Sequence, residues 1–518
     1  MTAQVIENIS ALSSAPNGVE ALRGLIREMA IRGRLLVQCP QDGIAPQGYP
    51  SVQGPFPIPE TWRWVALGTA LEMVNGRAFK PTDWKSSGLP IVRIQNLNRE
   101  TAEFNYADPD DVQPRHIIDS GTLLISWSGT PGTSFGAFIW NRGKAALNQH
   151  IFSCEQRAPA YFDRFLQLAI NTRLDELIAK AHGGVGLQHV TKGKLEALAL
   201  ALPPLPEQHR IVAKVDELMA LCDRLEARQQ DAEAAHERLV KVLLDGLTRA
   251  RDAEELRDCW ARVAGQFQVL FTTDDSVDAL KQAILQVGCS GHLTVPVGAL
   301  AAESSARYMA ASTSVEAPFK APLGWQWAKL GDLCTLITSG SRGWKAFYAD
   351  QGSTFIRSQD IKADRLEFDQ RAYVALPANA EGARTQVKQH DLLITITGAN
   401  VGKAAILIES LEDAYVSQHV ALVRLRDSSQ AAYIHRWLIN SYGGRRLLLA
   451  SSYGAKPGLN LQNIKDLPVP LPPAEEQQQI VSKLDELLTL CDRLKARIAA
   501  ARAKQAQLAE VLVRAAAG

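Results

Sequence analysis

LPPLPEQHRIVAKVDELMALCDRLEAR, residues 202–228, returns as LPPAEEQQQIVSKLDELLTLCDRLKAR at residues 471–497, and this recurrence decides how the chain is read. Of the 27 aligned positions, 18 are identical, all at a constant offset of 269 residues. A self-match at so long a period means a duplicated unit. Each copy also opens a helix. The Pro pair closes an extended segment, and Glu207 in one copy, Glu475 and Glu476 in the other, fall where a helix N-terminus favours negative charge. Apolar residues then recur in steps of four and three. The first series is Ile211, Val215, Leu218, Cys222 and Leu225, polar Gln229, then Ala232, His236, Leu239 and Leu243. The second is Ile480, Leu484, Leu487, Cys491, Leu494, Ile498 and Ala501, polar Gln505, then Leu508 and Leu512. A seam of 3.5-residue period suits a coiled coil. Two matching seams in one chain predict an antiparallel pair formed within it.

Working outward, more of the chain proves to be doubled. VEALRGLIREMAIRGRLL, after Asn17 as a candidate N-cap, has a partner in VDALKQAILQVGCSGHLT at 277–294, at an offset of 258, preceded by capping candidates Asp274, Asp275 and Ser276. Trp62-x-Trp64 matches Trp325-x-Trp327, IVRIQNLNRETAEF (91–104) matches FIRSQDIKADRLEF (355–368), and Gln149-His150 falls opposite Gln418-His419. Short alternating apolar runs bounded by Gly, Pro, Asn and Asp predict strands and turns, while 161–181 and 431–450 predict helices. The expected organisation is an N-terminal helical segment at 1–56, an α+β block at 57–205, a central region with a long helix at 206–320, a second α+β block at 321–473 and a C-terminal long helix at 474–518. The offset grows from 258 to 264 to 269, so the blocks share a frame and differ in their loops. The second long helix lacks the short helix that follows the first; segment 17–35 supplies it, as in a ring cut at one point.

Composition narrows the function classes. At 518 residues the chain needs several cores, and 46% hydrophobic with 21% charged residues describes an ordinary globular protein. No signal-type N-terminus and no membrane span are read, which predicts a cytoplasmic protein without a membrane partner. The seven cysteines form no C-x-x-C pair, so neither a disulfide framework nor a metal site is expected. Net charge is only +1, with 15 basic and 14 acidic residues in 57–205 and 17 and 13 in 321–473. That argues against a general polyanion binder, yet fits a base reader whose partners hold much of a phosphate backbone.

Catalytic motifs do not hold up. Gly132-Thr-Ser134-Phe-Gly136 has the letters of a nucleophile elbow, but a strand is expected after it instead of a helix. Gly398-Ala-Asn-Val-Gly402-Lys403-Ala404 is one residue short of a phosphate loop and lacks its Ser/Thr, so a glycine turn between strands is expected. No nuclease carboxylate cluster or methyl-donor motif is present, so no catalytic residue is assigned. Gln149-His150 and Gln418-His419 read as ligands or base readers or, in preference, as satisfied structural pairs near a strand. The candidate binding face consists of hydrogen-bonding side chains around the glycine turns. In the first block these are Arg77, Lys80, Lys85, Arg93, Asn96, Asn98, Arg99, Ser128, Thr130 and Thr133. In the second they are Ser341, Arg342, Lys345, Arg357, Gln359, Lys362, Asn400, Lys403 and Lys456. Arg, Asn and Gln are the bidentate readers of G and A edges, and Lys mostly meets phosphate.

With the duplication laid out, the chain resembles the specificity (S) subunits of type I restriction–modification enzymes over nearly its whole length. The resemblance is carried by the two LPP-x-x-E-Q…IV-x-K-x-DEL helix openings, the two LI-x-x-x-G turns, the Q-H pairs and the repeated short helix ending in G-x-L. It implies two target recognition domains that each read half of a split double-stranded DNA sequence, held apart by two conserved helices that bind two methyltransferase (M) subunits. It further implies S-adenosylmethionine on M, ATP and Mg²⁺ on the motor–nuclease (R) subunits, and none of these cofactors on this chain, which is then a non-catalytic recognition subunit. A duplicated coiled-coil adaptor for a ligand other than DNA would explain the repeat equally well.

Overall fold

A computed structural model of the chain describes residues 12–13, 15–127, 135–181, 191–250, 252–294, 318–362, 364–377, 382–452 and 458–517. The chain forms two compact units, residues 1–231 with 501–518, and residues 232–500. Each of the two 44-residue helices, Leu205–Thr248 and Ala474–Ala517, therefore begins in one unit and ends in the other. No helix among the described residues is long and apolar enough to cross a membrane.

In the first unit the strands are β1 (Arg63–Ala66), β2 (Leu71–Asn75), β3 (Leu89–Val92), β4 (Asn105–Ala107), β5 (Ile117–Ile118), β6 (Leu123–Ser126), β7 (Gly136–Ile139), β8 (Ala145–Leu147), β9 (Ile151–Gln156) and β10 (Ala199–Leu202). They build an antiparallel sheet of order β2-β9-β6-β7, a mixed sheet β4-β3-β8-β5 in which β3 and β8 run parallel, and the pair β1-β10. β1 and β10 are the two ends of the block, and their pairing closes it beside the start of the long helix. The helix Asp163–Ala181 lies on the first sheet, where the Asn171 amide accepts from Ala137 N (2.6 Å) and donates to Ala137 O (3.0 Å).

The second unit repeats this plan. Its strands are β11 (Gln326–Lys329), β12 (Cys334–Ser339), β13 (Tyr348–Ala349), β14 (Ser353–Ile356), β15 (Ile361–Lys362), β16 (Arg365–Leu366), β17 (Ala372–Val374), β18 (Leu392–Thr395), β19 (Ala404–Ile406), β20 (Ala414–Val416), β21 (Val420–Leu425) and β22 (Pro468–Leu471). The sheets are β12-β21-β18-β19, β13-β17-β14-β20 with β14 and β20 parallel, the end pair β11-β22, and a small hairpin β15-β16. The helix expected over 431–450 is broken into Ala431–Leu438 and Gly444–Ala450. Asn440 ends the first piece: its amide donates to Gln286 Oε1 (2.8 Å) and accepts from Tyr442 N (2.9 Å).

One junction, present in both units, explains why the repeated motifs are what they are. Glu207 and Glu476, each 1% exposed, sit in the first turn of the long helices. The Trp62 indole N–H donates to Glu207 (2.8 Å) and the Gln38 amide to its other oxygen (2.7 Å). Trp325 donates to Glu476 (3.1 Å) and Thr294 to its other oxygen (3.0 Å). Each tryptophan packs against the turn that ends the short helix, at Gly33 (φ +71°) and Gly291 (φ +80°). A Cβ there would lie 2.5 Å from Pro59 Cγ in the first unit and 2.4 Å from Pro322 Cγ in the second. Short helix, first strand and long helix are thus tied at one point. The neighbouring Gln208 and Gln477 are buried as well; Gln208 accepts from Phe162 N (2.7 Å) and donates to Ala160 O (2.9 Å).

The short helices, Gly18–Ile31 and Asp274–Cys289, lie along the openings of the long ones. Arg23 pairs with Asp223 (2.7 Å) and Glu226 (2.9 Å), and at the equivalent places Lys281 pairs with Asp492 and Lys495 with Asp278 (2.8 Å). In the first unit Leu22, Ile26, Ile211, Val215, Leu218 and Cys222 share one core with Ala509 from the far end of the second long helix. In the second unit Ile480, Leu484 and Cys491 share a core with Val240, Leu244 and Leu247 from the far end of the first. The start of each long helix is matched with the end of the other, an antiparallel pairing. Segment 17–35 accordingly shares a core with the chain's C-terminal end, while the ion pairs of its Arg23 go to the first long helix.

The seam departs from strict heptads at those far ends. Leu239 and Leu508, expected inside, are 39% and 55% exposed, and Val240 and Ala509 are buried instead. After half-buried His236 the buried positions step by four, four and three residues. A straight α-helix drifts about 20° per heptad against a 3.5-residue repeat, and two successive steps of four absorb the accumulated drift.

Two outcomes are expected from this packing. Glu207→Ala or Glu476→Ala leaves a buried indole N–H without its acceptor and should lower stability by about 1–3 kcal/mol in equilibrium unfolding, with Glu207→Gln losing less. Gly288 faces Leu484, whose Cδ2 would lie 2.9 Å from an added Cβ, whereas the equivalent positions in the first unit hold Ala30 and Val215, both buried. Gly288→Ala should therefore cost about 1–3 kcal/mol by overpacking. Combining it with Leu484→Val should recover most of that loss in a double-mutant cycle, and simple additivity would contradict the account.

Candidate nucleic-acid interface

The candidate face is built where the parallel strands end. β3 leaves the sheet at Val92 and β8 at Leu147, side by side, and the two following turns are joined by Asn148 N donating to Val92 O (3.1 Å). In the second unit β14 ends at Ile356 and β20 at Val416, with Ser417 N donating to Ile356 O (2.8 Å). The first turn of each pair carries Gln95 or Gln359, and the second carries Gln149-His150 or Gln418-His419.

The turn after β3 or β14 is held from inside. Arg93 N donates to Asn96 Oδ1 (3.1 Å), and the Asn96 amide donates to Ala102 O (3.1 Å) and Glu103 O (3.2 Å). Arg357 N donates to the Asp360 carboxylate (2.8 Å), whose other oxygen takes the guanidinium (2.9 Å). The Arg93 and Arg357 side chains also donate to the carbonyls of Glu103 (3.0 Å) and Gln370 (2.7 Å). Hydrogen bonding to Asp360 holds the Arg357 guanidinium above its ordinary pKa. Asn96 is 0% exposed with its amide fully engaged, so it shapes the turn from within instead of joining the surface its neighbours form.

A third turn closes the site in the second unit. The glycine turn between β18 and β19 uses Gly398 (φ +95°) and Gly402 (φ +82°), conformations that suit glycine. Asn400 donates from this turn to Ser358 O (3.3 Å), and Ile396 N donates to His419 O (3.0 Å). The sequence-predicted residues Arg357, Gln359 and Asn400 are thereby brought together with Gln418 and His419. In the first unit Trp127 N donates to His150 O (3.4 Å) at the equivalent place, and the two rings pack edge to face, 5.4 Å apart.

The other predicted residues are distributed as follows. Lys80, Lys85, Asn98, Arg99 and Arg342 are exposed, and Ser341 is half-buried. Arg77 is engaged, donating to Asp111 O (2.5 Å) and lying over the Phe79 ring. Lys362 pairs with Asp369. Lys403 lies in the second unit's large groove, about 1360 Å³, together with Arg365, Arg436 and Arg445. Ser128, Thr130, Thr133, Lys456 and the side chain of Lys345 lie outside the described residues. Gln95 does not belong to the sequence-predicted set, although aligning IVRIQNL with FIRSQDI places it opposite Gln359.

Comparison with known proteins bears on this arrangement. The family model described as the type I restriction modification DNA specificity domain matches the chain twice, over residues 59–234 and 322–501. The EcoEI type I restriction enzyme specificity subunit of Escherichia coli is 27% identical over 572 aligned positions, covering 96% of this chain and 94% of that protein. The EcoAI specificity subunit of the same species is 26% identical, with the same coverage. A solved structure described as the basis of complex assembly and conformational transition of a type I R-M system shares the fold, with a TM-score of 0.51, 20% identity, and coverage of 89% of this chain and 99% of that one.

The turn geometry separates support from surface. Asp360 is 2% exposed and holds Arg357 through both backbone and side chain. Asp360→Ala should lower the thermal stability of the chain by about 1.5–3 kcal/mol. Gln359→Ala, on the exposed side of the same turn, should stay within about 0.5 kcal/mol of wild type.

Proposed function

The chain belongs to the type I restriction–modification DNA specificity family, and we propose that its two blocks each read one half of a split, asymmetric double-stranded DNA target. The observation that carries this is the duplication itself: one frame used twice, with turns that differ between the copies. A single reader repeated for strength would keep its turns alike; here Arg77, Lys80 and Lys85 lie in a segment whose counterpart offers Ser341, Arg342 and Lys345. The base-reading set is drawn from the exposed turn residues Asn98, Arg99 and Arg342 with Asn400, and Lys80 and Lys85 meet phosphate. Arg93, Asn96, Arg357 and Asp360 position those turns.

In this reading the long helices hold two methyltransferase (M) subunits, and motor–nuclease (R) subunits join the same cytoplasmic complex. S-adenosylmethionine belongs to M, and ATP with Mg²⁺ to R; this chain contributes recognition and no chemistry. Methylation and restriction are directed to the sites it selects.

Sequencing the methylated DNA of a host that carries this chain with its M partner tests the reading. One split motif with two unlike halves is expected. Exchanging residues 77–99 for those of a relative should alter one half only. A change in both halves together, or methylation without a sequence motif, would overturn it.

A further inference from the structure

Some of the exposed face does not differ between the two blocks. Gln95 and Gln359 occupy the same place in the turn after the first parallel strand, and Gln149-His150 and Gln418-His419 the same place in the turn after the second. Gln95, Gln149, Gln359 and His419 are exposed. These residues stand in the middle of the turns in which the blocks otherwise diverge.

Their hydrogen bonds show which protons remain available. The Gln418 amide nitrogen lies 3.1 Å from His419 Nε2 and the Gln149 nitrogen 3.3 Å from His150 Nε2. An amide nitrogen only donates, so the imidazole Nε2 accepts and the second amide N–H is left over. His419 Nδ1 then donates to Thr397 Oγ1 (2.5 Å), which frees the threonine hydroxyl proton. Gln359, with its amide oriented so that the oxygen accepts from Arg357 Nη1 and Nη2 (both 3.2 Å), turns its NH2 group away from that guanidinium. Both faces therefore carry a neutral glutamine donor beside a histidine, repeated while their surroundings change.

We infer that these repeated glutamines and Gln–His pairs are the sequence-independent part of recognition, donating to phosphate oxygens of each half-site. The inference rests on the reading of the blocks as DNA readers and deepens it. Two blocks that read unlike sequences have the sugar–phosphate backbone in common, and neutral Gln, Ser and Thr donors are ordinary phosphate ligands that carry no base information. The repeated donors fix the register of each block on the duplex, and the unlike residues around them read the base edges.

The test uses the chain assembled with its M partner. Gln149→Ala and Gln418→Ala, made singly, are compared with wild type for affinity to the methylated target, for the sequence selected from a randomised DNA pool, and for phosphate-ethylation interference. Each variant should bind about tenfold more weakly. Each should select the same sequence and lose one interfering phosphate, in the half-site of the altered block only. A changed base preference overturns the inference, because the pair then reads bases. Unchanged affinity with an unchanged interference pattern also overturns it, because the pair is then structural. If either variant melts below wild type, the exposed Gln95→Ala and Gln359→Ala carry the same comparison. A wild-type complex that binds no DNA would instead overturn the reading on which the inference stands.

Discussion

A buried carboxylate at the start of each long helix is the interaction on which the rest of the molecule depends. Glu207 accepts from Trp62 and Gln38, residues that precede it by 145 and 169 positions. Glu476 accepts from Trp325, 151 positions earlier, and from Thr294, 182 earlier. A carboxylate is expensive to bury, and here two donors and the positive end of a helix offset that expense. Each junction orients a block against the long helix that leaves it and the short helix that precedes it. The oppositely directed pairing of the two long helices then gives each unit a core built from the start of one and the end of the other.

This division of labour is what allows recognition to vary without loss of the fold. The junction, the paired block ends β1-β10 and β11-β22, and the turns braced by Asn96 or Asp360 lie inside and are the same in kind in both units. Exposed residues that differ, such as Asn98 and Arg99, lie on the outer side of those turns. A change there removes a surface side chain, whereas a change one residue away removes a buried brace. Adjacent positions such as Gln359 and Asp360 thus belong to different functions, one facing outward and one inward.

Much of this was legible in the sequence because duplication compares the chain with itself. The long helices, the order of segments, the glycine turn at 398–402 and the strand after Gly136 follow from pattern and offset. Leu239 and Leu508 fit a heptad on paper but lie outside, because the phase of a seam depends on how two helices wind together. Asn96 has the chemistry of an adenine reader, yet the backbone it caps is six and seven residues away and brought near only by the fold. Gln95 is legible only through its alignment with Gln359, because a lone glutamine among charged neighbours carries no signal of its own. The helical break at Asn440 depends on Gln286, 154 residues distant.

The central claim is that the chain consists of two exchangeable readers on one frame. Replacing residues 321–473 by a second copy of 57–205 leaves both long helices and keeps Glu476 within its own helix. The two tryptophans and the β1-β10 pairing come with the inserted block. If the account holds, DNA methylated by a complex containing this chain will carry two identical half-sites, both matching the half assigned to the first block. A folded, methylation-competent complex that still marked two unlike half-sites would contradict it.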